Sequence, residues 1–150
     1  MTPVRHGFLV RSVERLLGSD ERLVAAAIMW RRHRLMVPYT AAVSVAFVFL
    51  AGVAGVQVWT TRFGLGAAGA VIAATATTDY SVLVRTSRGR LLCRAGRVRQ
   101  VATRIVERLP AGIVVTRIGG NLVTGEWEVG DRRYSVPRRH EHAMDRIAGA

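Results

Sequence analysis

Few residues of this chain have the types and spacing that chemistry demands. His140-Glu141-His142 looks like a fragment of a metal site, but on a helix neighbours two apart point to different faces. Zinc needs three or four converging ligands, and the other candidates, His6, His33 and Cys93, are scattered along the chain. No metal centre and no cofactor is expected. Glu126 and Glu128 share one face of an expected strand, and paired carboxylates do acid–base work when one is buried with a raised pKa. No nucleophile, glycine-rich phosphate loop or histidine stands beside them, so they read as solvated charges flanking Trp127. Ser12, Ser19, Ser81, Ser87 and Ser135 have no nucleophile motif around them. Cys93 is the single cysteine, which excludes an internal disulfide. In an apolar strand it reads as a small buried hydrophobe, not a reactive thiol. The chain is not expected to be an enzyme.

Arginine is what the chain has in quantity. All 22 of its basic residues are Arg, with no Lys, against 10 acids, for a formal charge of +12. Such a balance points to nucleic acid or to an anionic membrane surface, and location decides between them. Arg31-Arg32-His33-Arg34 stands immediately before an apolar run, where guanidinium groups pair with lipid phosphates. Arg85, Arg88 and Arg90 surround an expected hairpin turn taken to emerge directly under the bilayer, where each cation is worth about 1 kcal/mol. Arg31, Arg32, Arg34, Arg85, Arg88 and Arg90 are therefore the expected contacts to anionic headgroups. The turn is too short to cradle one headgroup, so non-specific tethering is the expected mode. A nucleic-acid binder groups Arg with aromatic rings for stacking. The region after residue 79 has only Tyr80, Trp127 and Tyr134, with its Arg scattered, so no nucleic acid is expected.

The element that positions these cations is apolar. Leu35 to Thr61 contains no Asp, Glu, Lys, Arg or His. Pro38 to Trp59 alone makes roughly 33 Å of helix, enough for a bilayer core of about 30 Å. Pro38 is tolerated in a first turn, and Trp30, Tyr39 and Trp59 suit the two interfaces. With 34 residues ahead of it and a second apolar run behind, this segment is a permanent anchor and not a cleaved signal. Thr60-Thr61-Arg62 is read as the whole outer loop. Phe63 to Thr78 would return in roughly 24 Å of helix. Small residues recur four apart there, as Gly66, Ala70, Ala74 and Gly69, Ala73, Thr77, and in the first run as Ala42, Ala46 and Ala51, Gly55. That spacing lets two helices approach closely, within a hairpin or in a homodimer. Seven Arg precede the first run, one lies in the loop and six follow between Arg85 and Arg99, so the positive-inside rule puts both termini in the cytoplasm. The expected location is the inner (plasma) membrane, multi-pass.

Three regions result: a cytoplasmic basic amphipathic lead-in over 1–34, a transmembrane helical hairpin over 35–78 (helices at about 37–59 and 63–78), and a β-rich cytoplasmic domain over 79–150. In the lead-in, Phe8, Val10, Val13, Leu16 and Leu17 fall near helical spacing. Ser19 or Asp20 would cap a second helix carrying Leu23, Val24, Ala27 and Ile28. These helices lie on anionic lipid or pack on the soluble domain. After residue 79 the period changes. Tyr80–Arg85 and Arg90–Arg94 read as a hairpin, Ile113–Ile118, Leu122–Val129 and Arg132–Val136 as further strands. Residues 98–109 fit helix or strand, with β-branched content favouring strand. From Pro137 a terminal helix shows His140, Ala143, Met144 and Ile147 on one face.

This order resembles the bacterial pleckstrin-homology-like (PH-like) membrane proteins that carry a two-helix membrane hairpin before the domain. The matching parts are Gly18-Ser19-Asp20-Glu21-Arg22-Leu23-Val24, Trp30-Arg31-Arg32-His33-Arg34, the apolar hairpin, and the Arg-rich Val84-Arg85-Thr86-Ser87-Arg88-Gly89-Arg90-Leu91-Leu92. The resemblance implies an α+β membrane protein with a strongly bent antiparallel sheet capped by a terminal helix and used for binding. About six strands are countable after residue 79, against seven in that fold. The expected function is a binding or scaffolding domain displayed at the inner membrane face, with membrane lipids and a protein as partners. The alternative is an accessory subunit that regulates a transporter or membrane enzyme through its transmembrane helices.

Overall fold

Leu23–Arg32 forms a strand, β1, at the centre of the molecule's sheet, where a helix was expected. The apolar run Leu23-Val24-Ala25-Ala26-Ala27-Ile28-Met29 carries no period that separates a buried strand from a helix face. Here Ala25 to Met29 are all buried, as in a strand covered on both faces. The computed structural model describes residues 4–97 and 99–149. Ahead of β1 is helix α1 (Val4–Glu14). Two further helices follow it, α2 (Met36–Val53) and α3 (Trp59–Ala76). The chain then gives β2 (Thr78–Thr86), β3 (Gly89–Ala95), β4 (Ala102–Leu109), β5 (Val115–Gly120), β6 (Thr124–Val129) and β7 (Arg132–Pro137). A 3-10 turn (Arg138–His140) and helix α4 (Glu141–Ala148) end it.

The chain divides into two compact units: the strands with α1 and α4, from residues up to 31 and from 80 on, and the helical pair, 32–79. In the first unit seven strands form one antiparallel sheet in the order β4-β3-β2-β1-β7-β6-β5. The seventh strand is β1, drawn from the region read as a lead-in. Alternation along the central strands feeds two cores. Ala25, Ala27, Met29, Leu83 and Leu92 point to one face, where Ala143, Met144 and Ile147 of α4 cover them. Ala26, Ile28, Val82, Val84, Leu91 and Cys93 point to the other, against Leu9 and Val13 of α1. Ser12 Oγ accepts from Ala102 N at 3.1 Å and so ties α1 to the start of β4. Phe8, expected on the apolar face of this helix, is exposed. The described part of α1 therefore packs on protein.

The sheet is strongly bent. β3 and β5 stand five strands apart in the order, or roughly 24 Å in a flat sheet. Arg90 of β3 nevertheless donates to Ile113 O, two residues before β5, at 2.7 Å. Opposite β3 the pairing skips Val106 and Thr103 of β4, and opposite β6 it skips Ile118 of β5, bulges of the kind that sharpen twist and bend. Residues 102–109 are strand, as β-branched content favours.

In the second unit α2 and α3 pack antiparallel. Gly66 lies beside Ser44 and Val48, Gly69 beside the Phe47 ring, and Gly52 beside Arg62. α2 stops at Val53, short of the expected end at 59. Gly55 has φ +84°, Gly55 N donates to Gly52 O and Val56 N to Ala51 O, which together make a Schellman stop. The loop is consequently 54–58, and Thr60, Thr61 and Arg62, read as the loop, form the first turn of α3. This changes the hairpin expectation. α2 has the length and hydropathy of a membrane span; α3 is equally long but does not meet that criterion, because its first turn carries Arg62 and its middle is Gly and Ala.

Candidate interaction surfaces

Of the six expected lipid-contact cations, Arg31, Arg32 and Arg34 are exposed where β1 runs into α2. No ion pair engages them among the described residues. His33 between them accepts from Leu35 N through Nδ1 at 3.2 Å. The other three stand around the β2–β3 turn. Their turn joins the end of β2 at Thr86 to the start of β3 at Gly89. Two of its cations serve the fold. Arg85 Nη1 donates to Arg146 O, and Arg90 Nε donates to Ile147 O at 3.1 Å. Both carbonyls belong to the last turn of α4, where unpaired C=O groups and the helix dipole favour a cation. Arg88 faces Asp20 at 3.6 Å, both largely exposed.

The outer faces of the helical pair are apolar and uncovered. Val45, Phe49, Leu50 and Val53 of α2 and Phe63, Val71 and Ile72 of α3 are all exposed. Only 6 % of the α2 window is buried, at a mean hydropathy of 1.9. The packed faces are small: Gly66, Gly69 and Ala73 on α3 and Ala51 on α2 are buried. On α3 the expected stripe through Gly69 and Ala73 therefore faces its partner. On α2 the expected pair Ala42 and Ala46 is exposed, whereas Ala51 of the pair Ala51, Gly55 is buried, and Ser44, Phe47 and Val48 lie against the glycines of α3.

At the loop end of this pair a cleft of about 640 Å³ opens between Ser44, Val45, Val48, Phe49 and Val53 on one side and Trp59, Arg62 and Phe63 on the other. The Arg62 guanidinium lies 4.8 Å from the centroid of the Trp59 ring, a cation–π distance, and its Nε donates to Val56 O. The i, i+3 spacing of Trp59 and Arg62 signals this contact once residue 59 is taken as helical.

A third feature is the β5–β6 turn. Asn121 Oδ1 accepts from Val123 N at 2.9 Å and Thr124 N at 2.8 Å. Arg138 Nε donates to Asn121 O and Arg138 N to Val123 O. These bonds hold Leu122, 97 % exposed, and Val123 outward. Both precede β6, although a strand is expected from Leu122.

The remaining chemistry-bearing residues do not converge. His140 is buried and His142 exposed, and among the described residues no group of three or more His, Cys, Asp or Glu is placed to hold a metal. Glu126 and Glu128 lie on the outer face of β6, opposite Ser135 and Arg133 of β7. Burial pushes the Cys93 thiol up to about 11, far from the range in which a thiolate nucleophile operates. Comparison with protein-family models, with curated proteins and with solved structures gives no match.

Proposed function

We propose that this chain is an integral membrane protein of PH-like type that displays its bent sheet as a binding or scaffolding domain at the cytoplasmic face. The observation that carries this reading is α2. An eighteen-residue helix of mean hydropathy 1.9 with 6 % of its window buried has no stable place in water, because a helix apolar all round must be covered by protein or lipid. In this reading α3 crosses beside it, with Arg62 and Trp59 in the far interface, where a ring and a guanidinium are tolerated. The exposed Arg31, Arg32 and Arg34 then meet anionic headgroups non-specifically where the chain enters the membrane.

The PH-like part is supported by seven strands, by the bend, and by α4 covering one core. The fold alone names no ligand. A protein partner is the reading for the sheet unit, with no catalysis and no nucleic acid. Alkaline carbonate extraction of membranes, with a reporter fused after Ala150, tests the reading. The chain is expected in the pellet with the reporter on the cytoplasmic side. Release into the supernatant, or a reporter outside the cell, would sink it. Crosslinking from native membrane then separates scaffold from accessory subunit: partners joined to the strands support the first, partners joined only to α2 and α3 the second.

A further inference from the structure

We infer that the cleft at the α2–α3 loop is a binding site for one anionic phospholipid, with its phosphate on Arg62 and an acyl chain along Val45, Val48, Phe49 and Phe63. The inference rests on the membrane reading above and adds the ligand. Arg62 is the single charged residue between Leu35 and Thr78. Its Nε is committed to Val56 O and its flat face to Trp59. Its two Nη groups have no acceptor among the described residues. They lie over Gly52, where an added Cβ would come within 3.1 Å of Nη1, so the absence of a side chain at 52 is what admits the guanidinium there. The result is a fixed, half-buried cation with donors to spare at the mouth of an apolar cleft.

That combination selects an amphiphile with an anionic head. The guanidinium fork matches phosphate oxygens, and the wall beyond it consists of side chains that gain nothing from a polar occupant. A volume of about 640 Å³ is in the range of small-molecule pockets, roughly 300–1,000 Å³, and leaves room for a chain beside the headgroup. A neutral zwitterionic lipid offers the same phosphate but brings its own cation against Arg62, so charge favours the anionic species. The expected preference is about fivefold, the effect of one cation near an anionic headgroup.

Trp59 is the reporter. The full chain is placed in vesicles of phosphatidylcholine or phosphatidylglycerol whose acyl chains are brominated, and the quenching due to Trp59 is taken as the part lost in Trp59→Phe. Wild type is expected to prefer phosphatidylglycerol about fivefold at Trp59, Arg62→Gln to reduce the preference to about one, and Arg62→Lys to keep part of it. Inorganic phosphate in excess should change nothing; if it removes the preference, the site takes a free anion and the lipid assignment is overturned. Equal quenching by both lipids in wild type also overturns it, without need of any variant. So does an unquenched Trp59 in a chain that sediments with the vesicles, since protein, such as a second copy, then covers the cleft. Failure to sediment at all strikes the membrane reading first, which separates the two failures.

Discussion

Arg90 donates from Nε to the carbonyl of Ile147 and from Nη1 to that of Ile113, which gives it a part in holding the fold together. Each hydrogen bond to a charged group contributes about 1.5–3 kcal/mol, and removing the donor leaves two acceptors in a partly buried setting. Arg90→Ala is therefore expected to destabilise the sheet unit by about 2–4 kcal/mol. Arg88→Ala, whose partner Asp20 is exposed at 3.6 Å, should cost less than about 1 kcal/mol. Denaturant unfolding followed by Trp127 fluorescence measures both, and equal small effects would return Arg90 to the role of a surface charge. Nothing in the sequence separates these residues. Three Arg around one turn look alike, and the partners that distinguish Arg90 lie 57 and 23 residues away along the chain.

Between α2 and α3 the information is carried by size. A Cβ on Gly66 would come within 2.6 Å of Val48 Cγ2 and 3.2 Å of Ser44 O, whereas one on Gly64 meets nothing within 4 Å. Val48 can rotate, but the Ser44 carbonyl is backbone and cannot. Gly66→Ala should thus weaken the helical pair by about 1–3 kcal/mol, while Gly64→Ala, gaining only helix propensity, should be neutral or stabilising by up to about 1 kcal/mol. Thermal unfolding of the helical signal in detergent distinguishes them, and similar shifts for both would mean that α3 does not pack through Gly66. The spacing of Gly69 and Ala73 made the packed face of α3 legible in the sequence. The α2 face was not, because that helix has small residues on several sides and only shape complementarity selects Ser44, Val48 and Ala51. The strands after residue 79 were likewise legible, since Tyr134 and Val136, or Trp127 and Val129, alternate with exposed or half-buried neighbours. β1 lacks that alternation, being buried on both faces.

That one strand changes what counts as a domain. Without β1 the order β4-β3-β2-β1-β7-β6-β5 falls into two three-stranded pieces, each losing a central partner, and the core residues Ala25, Ala27 and Met29 go with it. The segment 79–150 alone is therefore expected not to fold. The helical pair, by contrast, is an insertion between adjacent strands. The Trp30 and Tyr80 rings are 6.4 Å apart, and Ser87 N donates to Arg22 O at 2.9 Å. β1 ends at Arg32 and its neighbour in the sheet, β2, begins at Thr78. Replacing 33–77 by a two-residue glycine-containing turn should then give a water-soluble chain, since such turns match the twist of paired strands and the exposed apolar helices are gone. Circular dichroism and Trp127 fluorescence are expected to report one cooperative transition for the joined chain and none for 79–150. A cooperatively folded 79–150 would show that β1 is dispensable. If the joined chain is soluble and folded, it also becomes the form in which partners of the sheet can be sought apart from those of the helices, which is what choosing between scaffold and accessory subunit requires.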